Sequence, residues 1–388
     1  MDVRPSLLPE TRRLLKLARE DEAAAERAVA ALSLEAQTNL VCEAPPSHRH
    51  KLLALAPEPA AVIPLIPVAE LCFTVKALGL WDASWILEHA TSEQIVACFD
   101  LDAWSDLTPD REVLEAWLAA LAEAGEEPLL RAVQSLDPEL IVLYLRDRID
   151  VHLISKDQSL EVPEGAQTLE GQFYVVPKKA GDDVATVLRL LDALFRNDYW
   201  LYFRMLQGVS WELESELEEW ALRWRTGRME DLGFPPWDEA MRIYGYLRPG
   251  ERSRIPQDIH PLDVREWHLP VWMPELPVAA ESRYSLFRAA AELEADERRA
   301  FFYSFVAIAN KVAVADALDL GDSETLQGAI DKAASRASRG LEHLALENGL
   351  QLPDVLRRVT LERLFRVGTS LGEVEPGIPD RGSHERAP

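Results

Sequence analysis

Thr74-Val-Lys-Ala-Leu-Gly-Leu-Trp-Asp-Ala-Ser-Trp-Ile-Leu87, followed by Ser92-Glu-Gln-Ile-Val-Ala-Cys-Phe-Asp-Leu-Asp102, decides the fold class, because its pattern comes twice. The second copy is Trp117-Leu-Ala-Ala-Leu-Ala-Glu-Ala-Gly-Glu-Glu-Pro-Leu-Leu130, then Asp137-Pro-Glu-Leu-Ile-Val-Leu-Tyr-Leu-Arg-Asp147. Leu78 corresponds to Leu121, Ile86-Leu87 to Leu129-Leu130, Ile95 to Leu140 and Phe99 to Tyr144. A unit of some forty residues is too short to bury its own apolar face and does so by stacking on a neighbour. The pattern predicts a mainly α protein with a superhelical, helical-repeat N-terminal region.

Working outward, residues 10–31 read as an amphipathic helix and Ser33 as the cap of the next, so 1–150 is expected to be a helical arm plus the repeat. Gly79 and Gly125 are expected to stop helices, and Ser92, Asp110 and Asp137 to start them. The region 151–245 opens with two β-branched, aromatic runs, Val151–Ser155 and Gln172–Pro177, which predict a small antiparallel pair, and returns to helix from about 183. Within it, 210–226 reads as a helix capped by Ser210 and closed by Gly227. Glutamates fill its first half and arginines its last turn, in the order the helix dipole favours. Residues 246–277 hold six prolines around Trp267 and Trp272 and read as a packed strap or a linker. A C-terminal helical unit is expected over 278–375 and a disordered tail over 376–388.

The chain of 388 residues carries a net charge of −25, which disfavours nucleic acid and anionic lipid as partners. Its greasiest stretch, 60–73, is broken by Pro64, Pro67 and Glu70, so no membrane insertion is expected. Cys42, Cys72 and Cys98 lie in apolar helical stretches and read as reduced core thiols of a cytoplasmic protein.

Motifs of catalysis are thin. Gly368-Thr-Ser-Leu-Gly372 spells G-x-S-x-G, and Asp380 and His384 follow it. A nucleophile elbow needs a strand before its serine, whereas Leu361, Leu364 and Phe365 predict a helix. No glycine-rich phosphate cradle occurs. His48-Arg-His50 lacks a third metal ligand, and His343 with Glu347 reads as an exposed pair. No catalytic residue, cofactor or metal site is therefore expected.

Two polar groups remain. Asp100, Asp102, Asp106 and Asp110 make an acidic corner with Trp104 among them, a candidate binding surface whose bland alternative is helix capping. Asn310 and Lys311 lie in a helix apolar nearly all round, where a charge needs a partner; Asp316, Asp319, Arg363 and Arg366 are the candidates for a buried polar site. Trp220, Arg223, Trp224, Arg225 and Arg228 read as a helix end with core tryptophans.

Four strings carry a resemblance: Glu70–Ala83, Trp220–Phe234, Asn310–Asp322 and Leu361–Gly368. With them, the chain resembles an uncharacterised bacterial protein family without an assigned function. More distantly, residues 66–150 are similar to the intracellular superhelical domain of bacterial magnesium transporters, which implies a shape and not transport. The expected function is that of a non-catalytic helical scaffold or regulatory interaction module, whose partner is a protein with a basic surface. An enzyme centred on Lys311, or a sensor of divalent cations or small ligands, is the alternative.

Overall fold

The computed structural model describes residues 8–154, 164–178, 183–255 and 282–372. Trp267, Trp272, most of the expected strap and the expected tail lie outside the described residues. The described residues are 72% helical. Among the described residues the β structure is two antiparallel two-stranded pairs, Trp104–Ser105 with Thr108–Pro109 and Ile149–Leu153 with Phe173–Pro177.

Two compact units divide the helices. The first takes the described residues up to 236 together with 313–327; the second takes 237–255, 282–312 and 328–372. Residues 313–327, within the span 278–375 read as one helical unit, cluster with the first unit.

At the centre of the first unit lie the paired sequence copies, each a trio of helices. Val68–Leu78, Ser84–Leu87 and Ser92–Asp102 form one; Arg111–Ala124, Glu126–Ser135 and Pro138–Arg148 form the other. Gly79 and Gly125 end the first helix of each trio at φ of 98° and 142°, conformations that a β-carbon penalises. The corresponding residues Ile86 and Leu129, Ile95 and Leu140, and Phe99 and Tyr144 are all buried, while Leu78 and Leu130 are half-buried. Trp117 completes this core against Phe99, ring to ring at 5.9 Å. Thr91, not Ser92, caps its helix, in a reciprocal capping box with Gln94. The buried Gln94 amide then donates to Ile63 O and Ile66 O, which ties the preceding loop down.

The helix read over 210–226 is displaced. Ser210 lies inside the helix Tyr199–Trp211 and donates back to Leu206 O, while the next helix runs Glu214–Asp231 and passes straight through Gly227. Two extended residues, Glu212 (ψ 147°) and Leu213 (ψ 135°), make the break. Trp220 and Trp224 stack on each other and are 45% and 48% exposed, so they are surface and not core.

In the second unit residues 295–312 are lined with buried apolar groups, with Phe287, Phe301 and Phe305 in ring contact. Ser323–Asn348 and Leu361–Ser370 cross at Gly340 and Gly368, where a methyl group on either glycine would land on a backbone carbonyl, Leu364 O or Arg336 O. The G-x-S-x-G string is explained here. Gly368 permits the crossing, the Ser370 hydroxyl accepts the Leu247 N–H at 3.0 Å, and Gly372 leaves the helix at φ 77°. A helix, not a strand, precedes the serine.

Candidate functional site

The acidic corner is built where the first trio hands over to the second, and its four carboxylates have four different jobs. Asp100, in the last turns of Ser92–Asp102, is 2% exposed. Arg228 of the Glu214–Asp231 helix grips it with Nε to Oδ2 at 2.6 Å and Nη2 to Oδ1 at 2.9 Å. The same guanidinium donates to both oxygens of Asp137, at 2.9 and 2.6 Å. Burial pushes the Asp100 carboxyl up, against the pull of Arg228. Burial alone would lower Arg228, but its bonds to the two aspartates outweigh that and raise it. Two bidentate contacts to one guanidinium hold the buried carboxylate in its ionised form.

Asp102 takes the Lys76 ammonium on Oδ1 and the Trp117 indole N–H on Oδ2, the latter at 2.7 Å. Lys76 also reaches Asp319 at 3.3 Å, in the 313–327 turn. Burial works against the Lys76 charge, and Asp102 more than restores it. Asp110 caps Arg111–Ala124 by accepting the N–H groups of Glu112 and Val113 at 3.1 Å each. Asp106 is the outward member: it turns the short hairpin at φ 55°, and Leu107 beside it is 60% exposed.

Trp104 is half-buried beneath Arg225, whose guanidinium lies 4.8 Å from the ring centroid. Arg225 also donates to Asp100 O at 2.8 Å and Asp106 O at 3.4 Å. Burial brings this guanidinium down to about 10, against the pull of Asp100. Chemically, the corner is an internal charge-compensated joint that docks the Glu214–Asp231 helix on the repeat. Of the residues read as a binding surface, Asp106 and the hairpin tip face solvent, while Asp100 and Asp102 point into the protein.

The second polar group is dispersed. Lys311 bridges Glu362 at 3.2 Å and Glu239 at 3.3 Å, neither of them among its expected partners. Arg363 donates to the Glu251 carbonyl, Arg366 to Gly245 O at 3.2 Å, and Asn310 is buried. Asp316 and Asp319 belong to the first unit, and Asp319 serves Lys76. Glu362 was legible as a neighbour of Arg363 in sequence; nothing local marked it as the lysine's partner. Among the described residues, no three His, Cys, Asp or Glu side chains group as metal ligands.

What sequence reasoning missed is aromatic surface. Trp200 is 79% exposed and Trp211 58% exposed, eleven positions on and therefore on the same face of Tyr199–Trp211, about 16 Å away along its axis. The opposite face of that helix buries Tyr202, Met205, Leu206 and Val209. Behind Trp200 a chain of edge-to-face rings leads inward, to Phe203 at 6.5 Å and from there to the buried Phe173 at 5.3 Å. Leu153, opposite Phe173 in the hairpin register, adds exposed apolar area on that side. The run Tyr199-Trp-Leu-Tyr-Phe203 was the available signal: one helix face cannot bury aromatics at consecutive positions.

These features define a mainly α-helical protein with a helical-repeat core, charge-compensated within and aromatic at its surface. The chain belongs to a family of unknown function, DUF6178, whose sequence model matches residues 26–373. No curated protein and no solved structure matches it. Among the described residues no helix is long and apolar enough to cross a membrane.

Proposed function

We propose that this protein is a non-catalytic helical scaffold or regulatory module of the cytoplasm that binds another protein through the outward face of Tyr199–Trp211. One observation carries the reading: Trp200, 79% exposed, is backed edge-to-face by Phe203 and, through it, by the buried Phe173. An indole held out from a fixed base loses little entropy on binding and is the side chain most often found at interface hot spots. With a net charge of −25, the partner it fits presents basic side chains, which the long-range field attracts and orients. The exposed tip at Asp106 and Leu107 is the part of the acidic corner available to contribute.

Affinity capture of the tagged full chain from its native cell extract, with the captured protein then purified for titration, tests this. Trp200→Ala is expected to weaken the complex about thirtyfold, and Trp211→Ala severalfold. A partner that binds both variants as it binds the parent chain removes this face. Asp106→Arg tests the acidic tip separately, since unchanged affinity there excludes it from the interface. Turnover of a metabolite by the purified chain, lost in Lys311→Ala, would favour an enzyme instead.

A further inference from the structure

A second exposed stripe lies on Glu214–Asp231 and on the residue that begins it. Leu213 is 59% exposed, Trp220 45% and Trp224 48%, with Gly227 following one turn later on the same face. A hypothetical β-carbon on Gly227 would meet no atom within 4 Å, so the surface there is open. The covered side of this helix begins at Leu217 and Ala221, packed within the first unit; Leu217, three residues before Trp220 and seven before Trp224, forms the buried border of the stripe.

The stripe has a symmetry of spacing about Trp220. Leu213 stands seven residues before it and Gly227 seven after; Glu216 stands four before and Trp224 four after. On the exposed flank Glu216 and Glu219 precede Trp220, and Arg223 follows, its guanidinium 5.1 Å from the Trp220 ring. Two such helices laid antiparallel with a two-fold axis at Trp220 would set the largest aliphatic group of the stripe, Leu213, over the bare Gly227 of the other copy. The same arrangement brings each Arg223 within a turn of the other copy's Glu216 and Glu219, and packs the indoles around the axis. A sequence with acid first and base last is complementary to itself only when antiparallel, which is the relation an isologous dimer requires.

We propose that the chain forms a two-fold homodimer through this stripe, with Trp220 at the axis and Leu213 seated on Gly227 of the second copy. The interface uses residues other than Trp200 and Trp211, so it stands whether or not the partner-binding reading holds. Two copies of charge −25 repel at long range, and Glu216, Glu219 and Arg223 leave each copy one net negative charge at the contact; added salt screens this repulsion and is expected to tighten the dimer.

Sedimentation velocity of the full chain over a concentration series measures this directly. The expected result is a monomer–dimer equilibrium, tighter at raised salt. Trp220→Ala should weaken it at least tenfold, and Gly227→Leu should abolish it by blocking the Leu213 seat. Because Gly227 is exposed with open space around it, Gly227→Leu should keep the parent circular dichroism and melting temperature. Arg223→Glu should weaken self-association, and mixing it with the Glu216→Arg, Glu219→Arg double variant should restore a heterodimer. A chain that stays monomeric at about 100 μM, some hundredfold above a micromolar Kd, overturns the proposal. So does a dimer that forms equally well in folded Gly227→Leu and Trp220→Ala, since its interface must then lie elsewhere.

Discussion

Arg228 holds Asp100 by two hydrogen bonds, at 2.6 and 2.9 Å, across 128 positions of the chain. This contact holds one carboxylate of the acidic corner inside the protein. It also fixes the Glu214–Asp231 helix to the repeat and so sets which of that helix's faces meets solvent.

Removing the cation should therefore cost more than removing the anion. Arg228→Ala leaves Asp100 buried without its counter-charge and is expected to lower stability by about 3 to 5 kcal/mol. Asp100→Asn leaves Arg228 with Asp137 and keeps a hydrogen-bond acceptor, so a smaller loss is expected. Urea unfolding of the two variants measures the difference, and equal losses would mean that the contact is not charge-dependent.

Lys311 illustrates the opposite case. Its partners Glu239 and Glu362 are 47% and 38% exposed at the side chain, so both carboxylates rehydrate when the lysine goes. Lys311→Ala should cost about 1 kcal/mol or less, not the larger penalty of a buried pair. A loss of several kcal/mol by the same measurement would show that the bridge is better shielded than its exposure indicates.

The helix crossing in the second unit predicts a sharp asymmetry around the G-x-S-x-G string. Gly368→Ala and Gly340→Ala each force two backbones apart and should lower stability by about 3 kcal/mol. Ser370→Ala removes only the acceptor of the Leu247 N–H and should cost about 1 kcal/mol. Thermal melts that rank the serine variant below the glycine variants would contradict this packing.

All three cysteines are buried thiols. Burial, the charge of Glu70 adding to it, pushes Cys42 up to about 12. Cys72, which shares a hydrogen bond with Cys98 in the core, is raised well above the ordinary thiol range. At pH 8 the native protein should resist alkylation at both for hours and react at all three positions once unfolded. Rapid native labelling of Cys42, read by mass spectrometry, would contradict its burial.

His50 gives stability a pH slope. Burial lowers its imidazole, aided by Lys51 and His48, so folding favours the neutral ring. A base depressed in the folded state supplies stability that is complete above its unfolded value near 6.5 and is lost as pH falls below it. Denaturation midpoints taken between pH 7.5 and 5 should fall in the parent chain and fall less in His50→Gln. Identical slopes would assign the acid sensitivity to other groups.

Much of the fold was legible because its signals are local. The doubled apolar pattern marked core positions such as Ile86 and Leu129, and Gly79, Gly125 and Asp110 ended or began helices as their backbone chemistry requires. The join at 212–213 was missed because neither Pro nor Gly marks it. There the chain simply extends for two residues, while the helix-dipole pattern of the glutamates reads on across the gap. Trp220 and Trp224 were misplaced for a related reason. Their spacing shows that they share a face with each other, but which face of a helix is covered depends on what packs against it.

The sequence by itself determined the class of protein: its helices and the glycines at positive φ that end them, since each follows from a few neighbouring residues and the stereochemistry of one turn. Only the tertiary structure decided which charges are spent and which aromatics are shown. Asp100 meets Arg228, Asp102 meets Lys76 and Lys311 meets Glu362 across long stretches of chain. Electrostatic compensation depends on distance in space, which composition and periodicity do not encode. The same holds for Trp200, whose exposure follows from the helix having one face to bury and more aromatic residues than that face can hold.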